Sequence, residues 1–395
     1  MPTAIARVAT FTFFRQRLRV VVAGFACIGF AGAAIASPLK FALKPTGSLV
    51  GLQTSNPTLY ANVTGGFAAA AAVWSSKFQD DITVNVDIDF PALGPNILGS
   101  TNIDDVVTSY ASVRAAMLGD KTSADDTLAT ANLPAGNFLS FLTNNEATGA
   151  LETDNNGTAN NNSLDLSRAN AKALGFTGTG LAPNDSTRDA SISFSSNFTW
   201  DFDRSNGITA GTFDFVGVAI HEIGHAMGFL SGVDTVDEVS APNGPTLNGA
   251  VRYELDGYAV FNTLDLFRYS NRAANHGLDL AYGGTGVNNP FFSLDGGVTS
   301  LGTFSTGKFN GDGRQASHWK DNLGLGIMDP TFGYGELGIV TALDVRALDA
   351  IGYDLVGVPE PAAIGFLAPA AVFMALAARR RAVAARGRAG VAPGS

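Results

Sequence analysis

The sequence predicts an α+β fold, and three observations carry that reading. Two segments alternate apolar and polar residues at the period of a half-covered strand, at 82–90 and 189–200. An Ala-rich helical segment precedes the first, and a capped apolar helix follows the second. A long irregular stretch then leads to a closing amphipathic helix, an order that suits a helix-and-sheet domain better than a binding sandwich.

Taken in order, "GGFAAAAAVWSSKFQDD" (65–81) has the Ala content of a helix. In "ITVNVDIDF" (82–90), Ile82, Val84, Val86 and Ile88 share one face, and Thr83, Asn85, Asp87 and Asp89 the other. "IDDVVTSYASVRAAML" (103–118) reads as a second helix, and the Asn-rich stretch 144–167 as an exposed loop. "DASISFSSNFTW" (189–200) sets Ile192 and Phe194 against Ser191, Ser193 and Ser195. Thr212 or Asp214 caps a proline-free helix from about Phe215 to Met227. Near the end, Thr341 and Asp344 form a capping-box start, with Leu343, Ala347, Leu348 and Ile351 as a core-facing stripe. No internal repeat interrupts this order.

The two ends read as addresses rather than as fold. Arg7, Arg15, Arg17 and Arg19 precede an apolar run from Val20 to Ala36 that closes in Ala34-Ile35-Ala36, so residues 1–36 read as a secretory signal peptide. Residues 362–378 are uncharged and mostly apolar, near the lower limit for a membrane span, and Arg379, Arg380 and Arg381 follow directly. The positive-inside rule puts 382–395 in the cytoplasm and residues 37–357, the main domain, across the membrane. Nine of the 25 basic residues lie in these ends, against 35 acidic residues in the chain, so the main domain is strongly acidic. That charge excludes nucleic acid and anionic membrane as partners, leaving membrane contact to the tail alone. Cys27, the single cysteine, belongs to the leader, which excludes disulfides, thiolate metal sites and a cysteine nucleophile from the main domain.

The chemistry is concentrated in "HEIGHAMGF" (221–229). His221 and His225, four apart on a helix, project from one face and can reach one zinc ion. Glu222 points beside such a metal and can take a proton from a water that the metal acidifies. Gly228 permits the positive φ that stops the helix and turns the chain back. A catalytic zinc site takes three protein ligands, and the short form of this motif places the third ten residues after the first, where Ser231 stands. Asp234 and Asp237 lie just beyond it, as short acidic residues that are usually solvated. His276, in "NRAANHGLDL", reads as a loop histidine. His318 sits in "SHWKDNLGLGIMDP", with Trp319 to hold its backbone and Met328 ten residues later.

"HEIGHAMGF" resembles the metzincin metalloproteases, and the His-Trp pair before a Met in a tight turn resembles their leishmanolysin branch, in which a long insertion separates the last ligand from the helix. The resemblance implies a two-lobed zincin domain, with the N-terminal lobe ending near 228. It further implies one catalytic Zn2+ held by His221, His225 and His318, Glu222 as catalytic base and Met328 as the turn methionine. It covers these two segments and not the scaffold, since leishmanolysins are rich in disulfides. Pro359-Glu360-Pro361, the apolar span and the arginines (358–381) resemble a PEP-CTERM sorting tail. Such a tail implies a Gram-negative bacterium, an exosortase as processing partner, and delivery to the cell surface or its polysaccharide matrix.

The expected activity is hydrolysis of a polypeptide substrate, Glu222 taking the proton of the attacking water and passing it to the leaving amine. The 189–200 strand is either the edge on which an extended peptide adds or an ordinary inner strand. Calcium would suit an exported acidic protein, but "DFDRSNGITAGT" (201–212) fails as an EF-hand loop, with Gly at position seven and Thr212 at twelve. No Gly-x-Ser-x-Gly elbow accompanies the histidines. The second function class is a non-catalytic envelope or matrix structural protein on a degenerate zincin scaffold.

Overall fold

The alternation at 82–90 becomes the strand Thr83–Asp89, with Val84, Val86 and Ile88 buried and the polar residues between them half-buried. The computed structural model describes residues 6–7, 38–240, 254–273 and 277–357. The sorting tail, its span at 362–378, His276 and, apart from 6–7, the signal peptide lie outside the described residues. Among those described, no helix is long and apolar enough to cross a membrane.

Thr83–Asp89 lies in a four-stranded sheet whose order is Lys40–Pro45, Thr83–Asp89, Ala190–Phe194, Gly99–Ile103. The first three strands run parallel and the last antiparallel. Ala190–Phe194 is therefore an inner strand, and the two edges belong to Lys40–Pro45 and Gly99–Ile103. One face of the sheet is covered by the helices Pro57–Ser75 and Phe215–Ala226. The two helices meet where Gly66 carries no side chain; a Cβ there would lie 2.4 Å from the Phe215 ring. Phe67 packs edge-on against Phe194 and Phe215, and Trp74 Nε1 donates to the Ile220 carbonyl at 2.9 Å. Each such buried aromatic ring contributes about 1.5–3 kcal/mol relative to exposure.

A six-stranded sheet carries the other half of the domain. Its order is Gly302–Thr303, Phe291–Phe292, Arg268–Tyr269, Leu278–Asp279, Phe141–Asn144, Leu151–Asp154, so it draws strands from both sides of residue 228. The closing helix Ala342–Ala350 starts on the expected capping box of Thr341 and Asp344. Mixed α+β architecture is the outcome.

Three local expectations change. The helix read at 65–81 begins earlier, at Pro57, because Asn56 caps it by accepting from the Leu59 amide at 3.1 Å. The segment 103–118 is helical only from Tyr110, capped by Ser109; its β-branched part forms the strand Asp105–Ser109, paired with Ser163–Ser167. The Asn-rich stretch is not an open loop. Asn160 and Asn161 are buried, and Asn161 accepts from Gly157 and Thr158 amides while donating to the Leu139 carbonyl at 2.9 Å.

Candidate metal centre

The helix Phe215–Ala226 starts on Asp214, whose carboxylate accepts from the Gly217 amide at 2.9 Å and the Gly338 amide at 3.0 Å. It ends at Met227, and Gly228 takes φ +112°. That turn sends the Phe229 carbonyl back to His225, which donates from Nδ1 at 2.8 Å. His221 Nδ1 meets the Ile327 carbonyl at 2.8 Å, and His318 Nδ1 the Gln315 carbonyl at 3.1 Å. A carbonyl can only accept, so each imidazole keeps its proton on Nδ1 and its lone pair on Nε2.

The three Nε2 atoms converge at 2.9 Å (His221–His225), 3.2 Å (His225–His318) and 3.3 Å (His221–His318). Three lone pairs facing one another with no proton between them repel unless a cation lies among them. Burial also pulls all three imidazoles below the ordinary histidine pKa, His221 to about 4, so protonation does not supply that charge. Among the described residues these three histidines are the group brought together with metal-ligand spacing, and all are fully buried. The cluster could hold one metal ion.

Glu222 is also fully buried. Its Oε2 accepts from the Thr101 hydroxyl at 2.6 Å, while Oε1 is buried with no hydrogen-bond partner. Burial pushes its carboxyl up to about 8, with the Thr101 bond pulling the other way. Gly99 makes room for it, since a Cβ there would lie 2.6 Å from Oε1. The edge strand Gly99–Ile103 thus passes directly over the glutamate.

Met328 is fully buried beneath the metal helix, where a Cβ on Gly224 would come within 2.5 Å of its sulfur. It lies in a turn closed by the Asp329 amide on the Gly326 carbonyl at 3.3 Å. Trp319 stacks on Phe304 and donates from Nε1 to Asp344 at 2.8 Å. The same carboxylate accepts from the Ile327 amide at 2.9 Å and the Met328 amide at 3.3 Å. Asp344, expected only as a cap, therefore ties the closing helix to the turn that orients His221.

Asp234 and Asp237 lie away from the histidine cluster. Both are buried, and burial raises both carboxyls above the ordinary range, Asp234 to about 7. Asp234 accepts from the Ala316 and Ser317 amides, and Asp237 from the Phe309 and Asn310 amides. Asp201 and Asp203 accept from backbone amides of their own loop, at Thr209 and Ser205. Thr101 escapes sequence reasoning, as do the bonds that Asp344 and Asp234 make across the fold. The strand "GSTNI" has no periodicity to single out Thr101, and a short acidic residue after a helix reads as solvated unless the fold buries it.

In comparisons with known proteins, no family model, no curated protein and no solved structure matches the chain.

Proposed function

We propose that the protein is a zinc-dependent endopeptidase on a metzincin-like scaffold, exported and sorted to the cell surface or its matrix. The observation that carries the reading is the convergence of three Nε2 lone pairs beside a buried glutamate with one unpartnered oxygen. Three nitrogens on a tetrahedral zinc at about 2.0–2.1 Å stand roughly 3.3 Å apart, close to the separations found. An all-imidazole donor set with Nδ1 held by carbonyls suits zinc and excludes the hard, oxygen-seeking cations.

Bound there, a zinc ion supplies Lewis acidity and brings the pKa of a water down to about 7. His221, His225 and His318 hold the ion as neutral donors. Glu222 takes one proton from the attacking water on Oε1 while Thr101 fixes Oε2, then delivers that proton to the leaving amine as the C–N bond breaks. Burial holds this carboxyl high, and the positive charge that the neutral histidines are built to receive pulls it back toward the carboxylate. An extended peptide would add to Gly99–Ile103, the edge strand that lies against Glu222, rather than to the inner strand Ala190–Phe194.

Complete burial of the three histidines and Glu222 favours a second reading, a structural metal site in a non-catalytic matrix protein. Casein and gelatin cleavage by the zinc-loaded protein separates the two. The first reading expects activity that phenanthroline abolishes and that Glu222→Ala lowers by about 10²–10⁴ with zinc content unchanged. Stoichiometric zinc with no cleavage of any peptide in a library supports the second.

A further inference from the structure

At the position where the short motif has its third ligand, Ser231 begins a buried polar network that ends one residue before His318. The Ser231 amide donates to Ser317 Oγ at 2.9 Å, and Ser317 Oγ donates to Asp234. Asp234 also accepts from the Ala316 amide at 2.6 Å and the Ser317 amide at 3.1 Å. From the other side, the Ser231 hydroxyl donates to Asp265 at 2.6 Å, and the Gly232 and Asn262 amides donate to the same carboxylate at 2.7 and 2.9 Å. Fully buried Arg268 donates to the Ala316 carbonyl at 3.4 Å and the Ser305 carbonyl at 2.9 Å, and the Ser305 amide donates to the His318 carbonyl at 3.0 Å.

The network fixes the backbone from which His318 projects, and it does so with buried ionisable side chains. Asp234, Asp265 and Arg268 are each buried, and burying an ionisable side chain costs several kcal/mol unless it is matched by strong hydrogen bonds. A core that only needed to pack would use apolar residues here. Two amides on one carboxylate add directional hydrogen bonds to packing and fix both the position and the rotation of the backbone that carries the imidazole. Gly232 is part of the same device, because a Cβ there would lie 1.9 Å from the Val260 carbonyl oxygen.

We propose that Asp234, acting through Ser317 and the Ala316 amide, is a positioning residue that sets His318 as the third ligand, so that the segment after the metal helix orients the ligand it does not itself provide. This rests on the reading of the three histidines as a metal site. The test is a double-mutant cycle on the full mature chain, with Zn2+ affinity measured by chelator competition and Co2+ absorption reporting coordination geometry. Asp234→Asn and the milder Ser317→Ala are each made in the wild-type and His318→Ala backgrounds.

The expected result is a 10–100-fold loss of zinc affinity with a changed cobalt spectrum in the wild-type background, the range typical of outer-shell partners. Less than a twofold further loss is expected where His318 is already absent. Equal losses in both backgrounds, or wild-type affinity in both single variants, overturn the proposal. Should Asp234→Asn fail to fold, Ser317→Ala decides alone. Failure of the underlying reading looks different, since the unmutated chain would then bind neither ion.

Discussion

On the proposed reading, Thr101 and Glu222 form the smallest unit that decides chemistry. The glutamate's two oxygens are unequal: one is held at 2.6 Å by the threonine hydroxyl and the other has no partner. Burial raises this carboxyl to about 8 and the hydroxyl opposes the rise, so removing the hydroxyl raises it further. On the proposed peptidase reading, Thr101→Val should move the acid limb of the kcat/KM pH profile to higher pH and lower activity at neutral pH. An unmoved limb would show that Thr101 does not govern the base. The histidines show the complementary logic. Their Nδ1 atoms are committed to carbonyls of Ile327, Phe229 and Gln315, which leaves every Nε2 free to donate its pair.

Among the elements, the metal helix and the closing helix were the most legible. H-E-x-x-H, Asp214 as cap and Gly228 as terminator use local chemistry, and local chemistry is written in consecutive residues. His318 joins the cluster of His221 and His225 and Met328 is buried against Gly224, placements that the resemblance implied and local chemistry did not. Illegible were features created by distant pairing. Gly99–Ile103 is a strand because it lies against Ala190–Phe194, and nothing within its five residues announces that. The buried asparagines of 160–161 failed for the same reason, since composition cannot tell a solvated amide from one satisfied by backbone. Asp344 was half seen. Its cap role is local, whereas its bonds to Trp319, Ile327 and Met328 cross the fold. Asp344→Ala leaves several buried donors unpaired at once, at about 1–3 kcal/mol each. Urea unfolding of the metal-free protein should therefore show a loss of about 3–5 kcal/mol. A loss no larger than that of an ordinary helix cap, about 1 kcal/mol, would contradict this coupling.

The domain as a whole places a polar interior around the histidine cluster, and its response to pH follows from that. Burial first, and then neighbouring Asp126, push Asp349 up to about 8, although Ser123 donates to it at 2.8 Å. A carboxyl raised in the folded state contributes stability that is fully present below the ordinary carboxylate range near 4 and lost as pH rises through about 8. Asp349→Asn should flatten the decline in stability of the metal-free protein between those limits, read from denaturation midpoints across pH. An unchanged slope would assign the decline to other carboxyls. The cluster joins two imidazoles of the helix Phe215–Ala226 to a third that lies ninety-three residues after His225. Zinc content of the purified protein tests this convergence most directly. One zinc per chain in the wild type, with substoichiometric zinc in a folded His318→Ala variant, is the expected result. Full zinc retention without His318, or no metal in the wild type after loading, would contradict it.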